Sequence, residues 1–219
     1  MTSESVDEYI EAIYRLGGQA NTVPVSEVAQ RLNISVVSTN EMVKRLVSRG
    51  LVEYEPYRGI LLTAAGQEHA LRIVRCHRLW ERFLADYLGL PWDQIHEEAC
   101  RLEHVTSPEV EGRLATFLGD PASCPHGSPV PDAHRHLAEQ ETDLRLADLT
   151  EGQQAMVSRV SVEDSTLLRY IADLGLRPNV VIEVEKVAPF GGPITLRIGE
   201  VRQVVGGQVI SAIHVRLVR

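Results

Sequence analysis

Three features of the sequence predict a mainly α protein with a small β part. A short helix-turn-helix pattern followed by a hairpin stands at the N-terminus, longer helices run from about 64 to 120, and short β-branched segments are confined to the last third. In 6–16, Val6, Tyr9, Ile10, Ile13 and Tyr14 recur at helical spacing, and Gly17-Gly18 stop the helix. VSEVAQRLNI (25–34) reads as a short helix opening at Ser26, with Val28, Ala29 and Leu32 inward. A tight turn at Asn33-Ile34 leads to a second helix closed by Gly50, with Val36, Thr39, Met42, Val43 and Leu46 on one face.

LVEYE (51–55) and ILLT (60–63), joined at Pro56-Tyr57-Arg58-Gly59, predict a two-stranded hairpin that can serve as a wing. Thr63 can cap a long helix running to Leu88, where Gly89 and Pro91 bar continuation. A helix over about 92–105 follows, and Ser107-Pro108 opens another that Gly119 ends. Residues 119–133 are a loop by their Pro, Gly and Ser content, leading to a linker. Beyond it, 154–160, 180–187, 194–198, 201–205 and 208–218 are short β-branched runs, interrupted by one helix at about 163–174, and suggest a small barrel.

The 219 residues can bury a sizeable core, and 44% hydrophobic with 24% charged residues fits neither a disordered chain nor a membrane protein. No apolar run is long enough to span a bilayer, and MTSESVDEYI lacks the basic and apolar regions of an export signal. No membrane association and a cytoplasmic location are expected. Cys76, Cys100 and Cys124 cannot all pair with one another, which leaves free thiols or metal ligands.

A net charge of −8 argues against nucleic acid, yet the charge is uneven. Residues 31–49 hold Arg31, Lys44, Arg45 and Arg49 against Glu41 alone. A helix-turn-helix places the first turn of its second helix on base edges and later cationic residues on phosphates. Ser35, Val37, Ser38, Asn40 and Glu41 occupy the first positions, Lys44, Arg45 and Arg49 the second, and Arg58 sits at the tip of the wing. The same spacing also fits a helical pair in a core.

Residues 71–140 carry seven basic and eleven acidic groups and six of the eight histidines. Cys100, Glu103 and His104 share one helical face, with His96 one turn earlier, and His77 and Glu81 stand four apart on the preceding helix. Glu8 and Glu11, three apart in the first helix, could supply oxygen ligands if the long helices pack against that face. A solvated face or a salt bridge accounts for any one pair. Two such clusters on adjacent helices in an acidic segment point to a cation, and carboxylate-rich ligands suit Mn²⁺ or Fe²⁺ better than a closed zinc site. A helical di-metal enzyme would need two Glu-x-x-His units, and the G-x-S-x-G, P-loop and H-E-x-x-H patterns are absent, so no catalysis is expected. A metal-storage protein is the remaining alternative.

HRLWERFL (77–84), IHEEACRLEHVTSPEVEGRL (95–114) and CPHGSPVP (124–131) resemble the diphtheria-toxin-repressor and MntR family of metal-dependent transcriptional regulators. The resemblance implies a winged helix-turn-helix DNA-binding domain over 1–63, a helical dimerisation and metal-binding domain over 64–140, and, after a linker, an SH3-like (FeoA-like) β-barrel over 141–219. It implies a homodimer on a palindromic operator, acting as a repressor of metal-uptake genes with Mn²⁺ favoured and Fe²⁺ the alternative. It makes Glu8, Cys100, Glu103 and His104 the primary metal site, with Glu11 matching a ligand of the manganese type. His77, Glu81 and His96 match the ancillary site, with Asp164 or its neighbour Glu163 the candidate from the C-terminal domain.

Overall fold

The computed structural model describes residues 4–137 and 143–218. Helix α1 (Glu4–Arg15), α2 (Val25–Arg31), α3 (Val36–Ser48) and the hairpin β1 (Val52–Glu55) and β2 (Gly59–Leu62) form the first unit. Its core gathers Val6, Ile10 and Ile13 of α1, Val28 of α2, Val43 and Leu46 of α3, and Ile60 and Leu62 of β2. Pro24, not Ser26, is the N-cap of α2, and no side chain caps it, because the fixed Pro φ already sets the entry geometry. Ser35 caps α3 by accepting a hydrogen bond from the Ser38 amide. Val36 faces solvent instead of the core, since it stands in the first turn of α3 ahead of the buried Thr39, Val43 and Leu46. Gly59 (φ 117°) packs so closely on the Val23 carbonyl that a Cβ there would stand 2.6 Å from its oxygen, and this contact lets Val23 bridge Ile60.

Thr63 caps α4 (Ala64–Asp86) through the Gly66 amide. The helix stops two residues short of Leu88, with Tyr87 as C-cap and Gly89 in the left-handed region (φ 66°). Helix α5 (Ile95–Glu103) starts after the turn at Pro91–Gln94 rather than at 92, and α6 (Pro108–Phe117) is capped by Ser107. Three arginines of α4, one per turn or two, fasten the loop that follows α6. Arg75 donates to the Pro131 carbonyl, Arg78 to that of Pro129, and Arg82 to that of Ser123 at 2.5–3.1 Å. These charge-assisted bonds fix a segment that has no helix or strand of its own.

The expected junction at 63/64 falls at the cap of α4; that at 140/141, with the linker, lies outside the described residues. After it come β3 (Leu144–Arg145), a 3₁₀ turn (Leu146–Asp148), β4 (Gln154–Val160), α7 (Ser165–Asp173), β5 (Val181–Val187), β6 (Ile194–Ile198), β7 (Val201–Val205), α8 (Gly207–Ala212) and β8 (Ile213–Leu217). The six strands are antiparallel in the order β3-β8-β4-β5-β6-β7. Residues 208–218 are therefore not one strand. Their first half coils into α8, which buries Val209, Ile210 and Ala212 in the same core as Leu168 and Ile171 of α7. The strand β3 was not foreseen, because two residues carry no periodicity.

Candidate metal centre and nucleic-acid interface

Packing of α4 on α5 turns two helical spacings into one buried cluster. His77 Nδ1 lies 2.6 Å from Glu103 Oε2, and His77 Nε2 lies 3.2 Å from Glu81 Oε1 and 3.0 Å from His96 Nδ1. Cys100 Sγ stands 3.9 Å from His77 Nδ1 and 3.7 Å from His96 Nε2. Ligand-type atoms of His77, His96 and Cys100 lie within 4.8 Å of one another, as do those of Glu11, His77 and Glu103, so α1 delivers a carboxylate to the same place.

Two atoms in this region, Glu103 Oε1 and His104 Nδ1, are buried without a hydrogen-bond partner. Leaving such atoms unpaired is costly, and a divalent cation among carboxylate, imidazole and thiolate donors would satisfy both. The residues present thus fit a metal ion. The titration of the cluster reports its electronegative surroundings, in which an incoming cation displaces the imidazole protons. Burial opposes charging of His77, but Glu81 and bonds from Cys100 and Glu103 hold its pKa well above the usual histidine value. Burial alike opposes the Cys100 thiolate, yet His77 and His96 draw its pKa below the ordinary thiol range. His96 is raised to about 9, bonds to Cys100 and Glu81 outweighing its burial.

A second cluster escaped the sequence reading. Glu81, Cys124 and His126 are buried with ligand-type atoms within 4.8 Å of one another. His126 Nε2 lies 3.1 Å from the Trp92 carbonyl, which leaves Nδ1 facing Glu81 Oε1 at 3.1 Å. Burial and the charge of Glu81 push the Cys124 thiol up to about 12. The loop is seated by Gly127 (φ 86°), where a Cβ would collide with the Ser158 carbonyl of β4, and by the Val160 amide bonded to the His126 carbonyl at 2.9 Å. The available signal was Cys124-x-His126 itself, two ligand types two apart in a Pro- and Gly-bounded turn.

Around these clusters the other expected ligands distribute unevenly. Glu8 is exposed and lines a cleft of about 670 Å³ together with Glu11, Cys100, Glu103 and His104. Its neighbour Asp7, which the sequence reading passed over, is the buried carboxylate of α1. Its Oδ1 lies 2.6 Å from His69 Nε2 and its Oδ2 3.6 Å from His104 Nδ1. Burial would raise Asp7, but His104 and His69 hold it well below the carboxylate range. Asp164 uses Oδ1 to cap α7 at the Leu167 amide (2.7 Å), because the residue before a helix is where a short acid is most useful to the backbone. Glu163 is the acid that reaches the cleft.

On α3, Val37, Ser38, Glu41, Lys44, Arg45 and Arg49 are exposed, with Val37 71% accessible. Ser35 is committed to the cap, and the Asn40 amide turns back to the Val36 carbonyl at 3.0 Å. Ser38, Glu41 and Arg45 also line the metal cleft, so the helix that would read DNA forms one wall of it. At the tip of the wing Tyr57 is fully exposed, and Arg58 pairs with Glu55 at 2.9 Å.

Three family models match in chain order: iron dependent repressor, N-terminal DNA binding domain, over residues 1–60; iron dependent repressor, metal binding and dimerisation domain, over 63–132; and FeoA domain over 144–217. The chain is similar to the iron-dependent repressor IdeR of Mycobacterium tuberculosis, with 34% identity over 88% of both chains. It is also similar to the diphtheria toxin repressor of Corynebacterium jeikeium, with 30% identity over 83% of this chain and 85% of that protein. Among solved structures, a manganese-dependent transcriptional repressor in complex with manganese superposes with a TM-score of 0.89 at 30% identity, covering 97% of this chain and 100% of that one. ScaR with bound Zn²⁺ gives 0.84 at 30% identity, covering 97% and 99%.

Proposed function

The chain belongs to the iron-dependent repressor family of metal-responsive, DNA-binding transcriptional regulators, and on that premise we propose that it represses metal-uptake genes as a homodimer on a palindromic operator, with Mn²⁺ as its favoured co-repressor and Fe²⁺ the alternative. The reading rests on one observation above the rest: the buried Glu103 Oε1 and His104 Nδ1, without hydrogen-bond partners, lie where α1 brings Asp7 and Glu11 to the C-terminal end of α5.

Glu8, Cys100, Glu103 and His104 would hold one divalent cation, with Glu11 at hand; Glu81, His77 and His96, with Cys124 and His126, would hold a second. The cation supplies positive charge among carboxylates that otherwise repel one another. Asp7, paired with His69, adds a further buried carboxylate beside His104 from α1. Oxygen ligands from Glu8, Glu11 and Glu103 favour Mn²⁺, while Cys100 keeps Fe²⁺ within reach. Because Ser38, Glu41 and Arg45 share the cleft, fixing α1 against α5 also fixes α3. Val37, Ser38, Asn40 and Glu41 then face base edges, and Lys44, Arg45, Arg49 and Arg58 face phosphates. Ser35 and Asp164 act through the helix caps they make.

Two reading heads require a dimer. Tyr87, Leu88 and Phe117 are exposed beside Phe83, and the Phe83, Tyr87 and Phe117 rings pack at centroid distances of 4.8–6.0 Å on α4 and α6. An exposed aromatic cluster of this kind is what a homodimer buries. No helix among the described residues is long and apolar enough to cross a membrane. As a regulator of transcription the protein acts in the cytoplasm.

An electrophoretic shift assay with the promoter of the chain's own gene tests the reading. His104→Ala should leave a folded dimer and abolish Mn²⁺-stimulated binding. Undiminished metal dependence in that variant would remove His104 from the site.

A further inference from the structure

Arg15, the last residue of α1, stands between two carboxylates from distant parts of the chain. Its Nη2 and Nε lie 2.6 and 2.8 Å from Glu11 Oε1, and its Nη1 donates to Glu163 Oε1. Arg31, at the end of α2, also holds Glu163, with Nη2 at 2.8 Å from both oxygens. Glu11 belongs with His77 and Glu103 to one of the ligand-type clusters. The guanidinium therefore sits in the wall of the metal cleft and already neutralises a carboxylate that a hard cation would use. A guanidinium is cationic throughout the physiological range, so this charge is fixed.

We propose that Arg15 is a resident cation of the metal cleft, holding Glu11 and Glu163 in ion pairs that lower the affinity for hard divalent ions and thereby set the metal threshold of the regulator. The proposal rests on the metal-responsive reading above. An incoming ion meets a fixed like charge and must compete for Glu11. That penalty falls most heavily on ions that seek oxygen, such as Mn²⁺. An ion satisfied by Cys100, His104 and imidazole, such as Zn²⁺, depends less on Glu11. The same guanidinium ties α1 to the segment before α7, so the C-terminal domain is fastened to the winged helix through the residue that guards the cleft.

Calorimetric titration of the full chain with MnCl₂ and with ZnCl₂, without DNA, tests this. Arg15→Met should raise Mn²⁺ affinity roughly tenfold and Zn²⁺ affinity by less than about threefold, whereas Arg15→Lys, which keeps the charge, should stay within about threefold of the unsubstituted chain. Arg15→Gln serves as a second neutral variant should the Met variant fail to fold. Hydrogen exchange at amides 161–164 of the metal-free protein should also speed up in the neutral variants as one of the two arginines holding Glu163 is lost, Arg31 remaining. Mn²⁺ affinity that is unchanged or weaker in both neutral variants, or that rises equally in Arg15→Lys, overturns the proposal. If the unsubstituted chain takes up neither ion, the metal reading itself fails, and Arg15 with it.

Discussion

The C-terminal sheet domain and the junction of α1, α4 and α5 are both well buried, but they bury opposite chemistries. In the sheet domain Leu146, Val157, Leu168, Ile171, Ile182, Val184, Leu196 and Val215 form an apolar core. All eight buried polar or charged residues among the described ones, including Asp7, His77, Glu81, Glu103 and His126, lie before it. Apolar burial stabilises by about 25 cal/mol per Å², whereas buried charge stabilises only when matched. The sheet domain is held chiefly by its apolar core; the junction is built so that its stability depends on what enters it.

The largest expected effect breaks the comparison from the side of the sheet. Leu168→Ala should cost about 2–5 kcal/mol in the C-terminal domain, read by hydrogen exchange in β4 and β5, without altering Mn²⁺ affinity. A change confined to α4 and α5 would show that the two regions are not separate in the way described. Next in size, Mn²⁺ at about a hundred times its Kd should stabilise the junction by ~2.7 kcal/mol and leave the sheet core almost unmoved. Equal protection of both regions would deny that the junction alone needs the ion.

Thr63→Ala removes the cap of α4 and the bond from its hydroxyl to the Gly50 carbonyl, and should cost about 1 kcal/mol at the hinge between winged helix and α4. Urea denaturation followed at α4 checks it. The smallest effect is in pH. Burial and the nearby Arg159 lower His214 below its ordinary value of 6.5. The unfolded chain then binds the proton more readily, so the contribution of His214 is fully present above about pH 6.5 and is lost as pH falls toward the folded value. His214→Phe should flatten the pH dependence of the sheet-domain midpoint between pH 7.5 and 5; an unchanged slope would place the dependence elsewhere.

What the sequence disclosed follows from range. Caps such as Thr63 and Ser107 are local, and both stand where the spacing predicts; Ser35, read from sequence as a DNA contact, caps α3 as well. So are the offsets that bring Cys100, Glu103 and His104 onto one face of α5. Residues 208–212 misled because β-branched composition does not reveal a short buried helix, and β3 is too short to leave a pattern. In the site, His126 meets Glu81 from 45 positions away, and Glu163 meets Arg15 from 148. No local period encodes such meetings. Asp7 escaped for a different reason: one residue of rotation on α1 decides whether Asp7 or Glu8 faces inward, and the packing of α1 on α4 settles it.

The central claim is that ion and operator favour the same arrangement of winged helix and α5. Measuring Mn²⁺ affinity with and without saturating operator DNA, alongside operator affinity with and without saturating Mn²⁺, addresses it directly. The account predicts that both affinities rise by one common factor and that His104→Ala brings that factor to one. Mn²⁺ affinity indifferent to the presence of operator would contradict it.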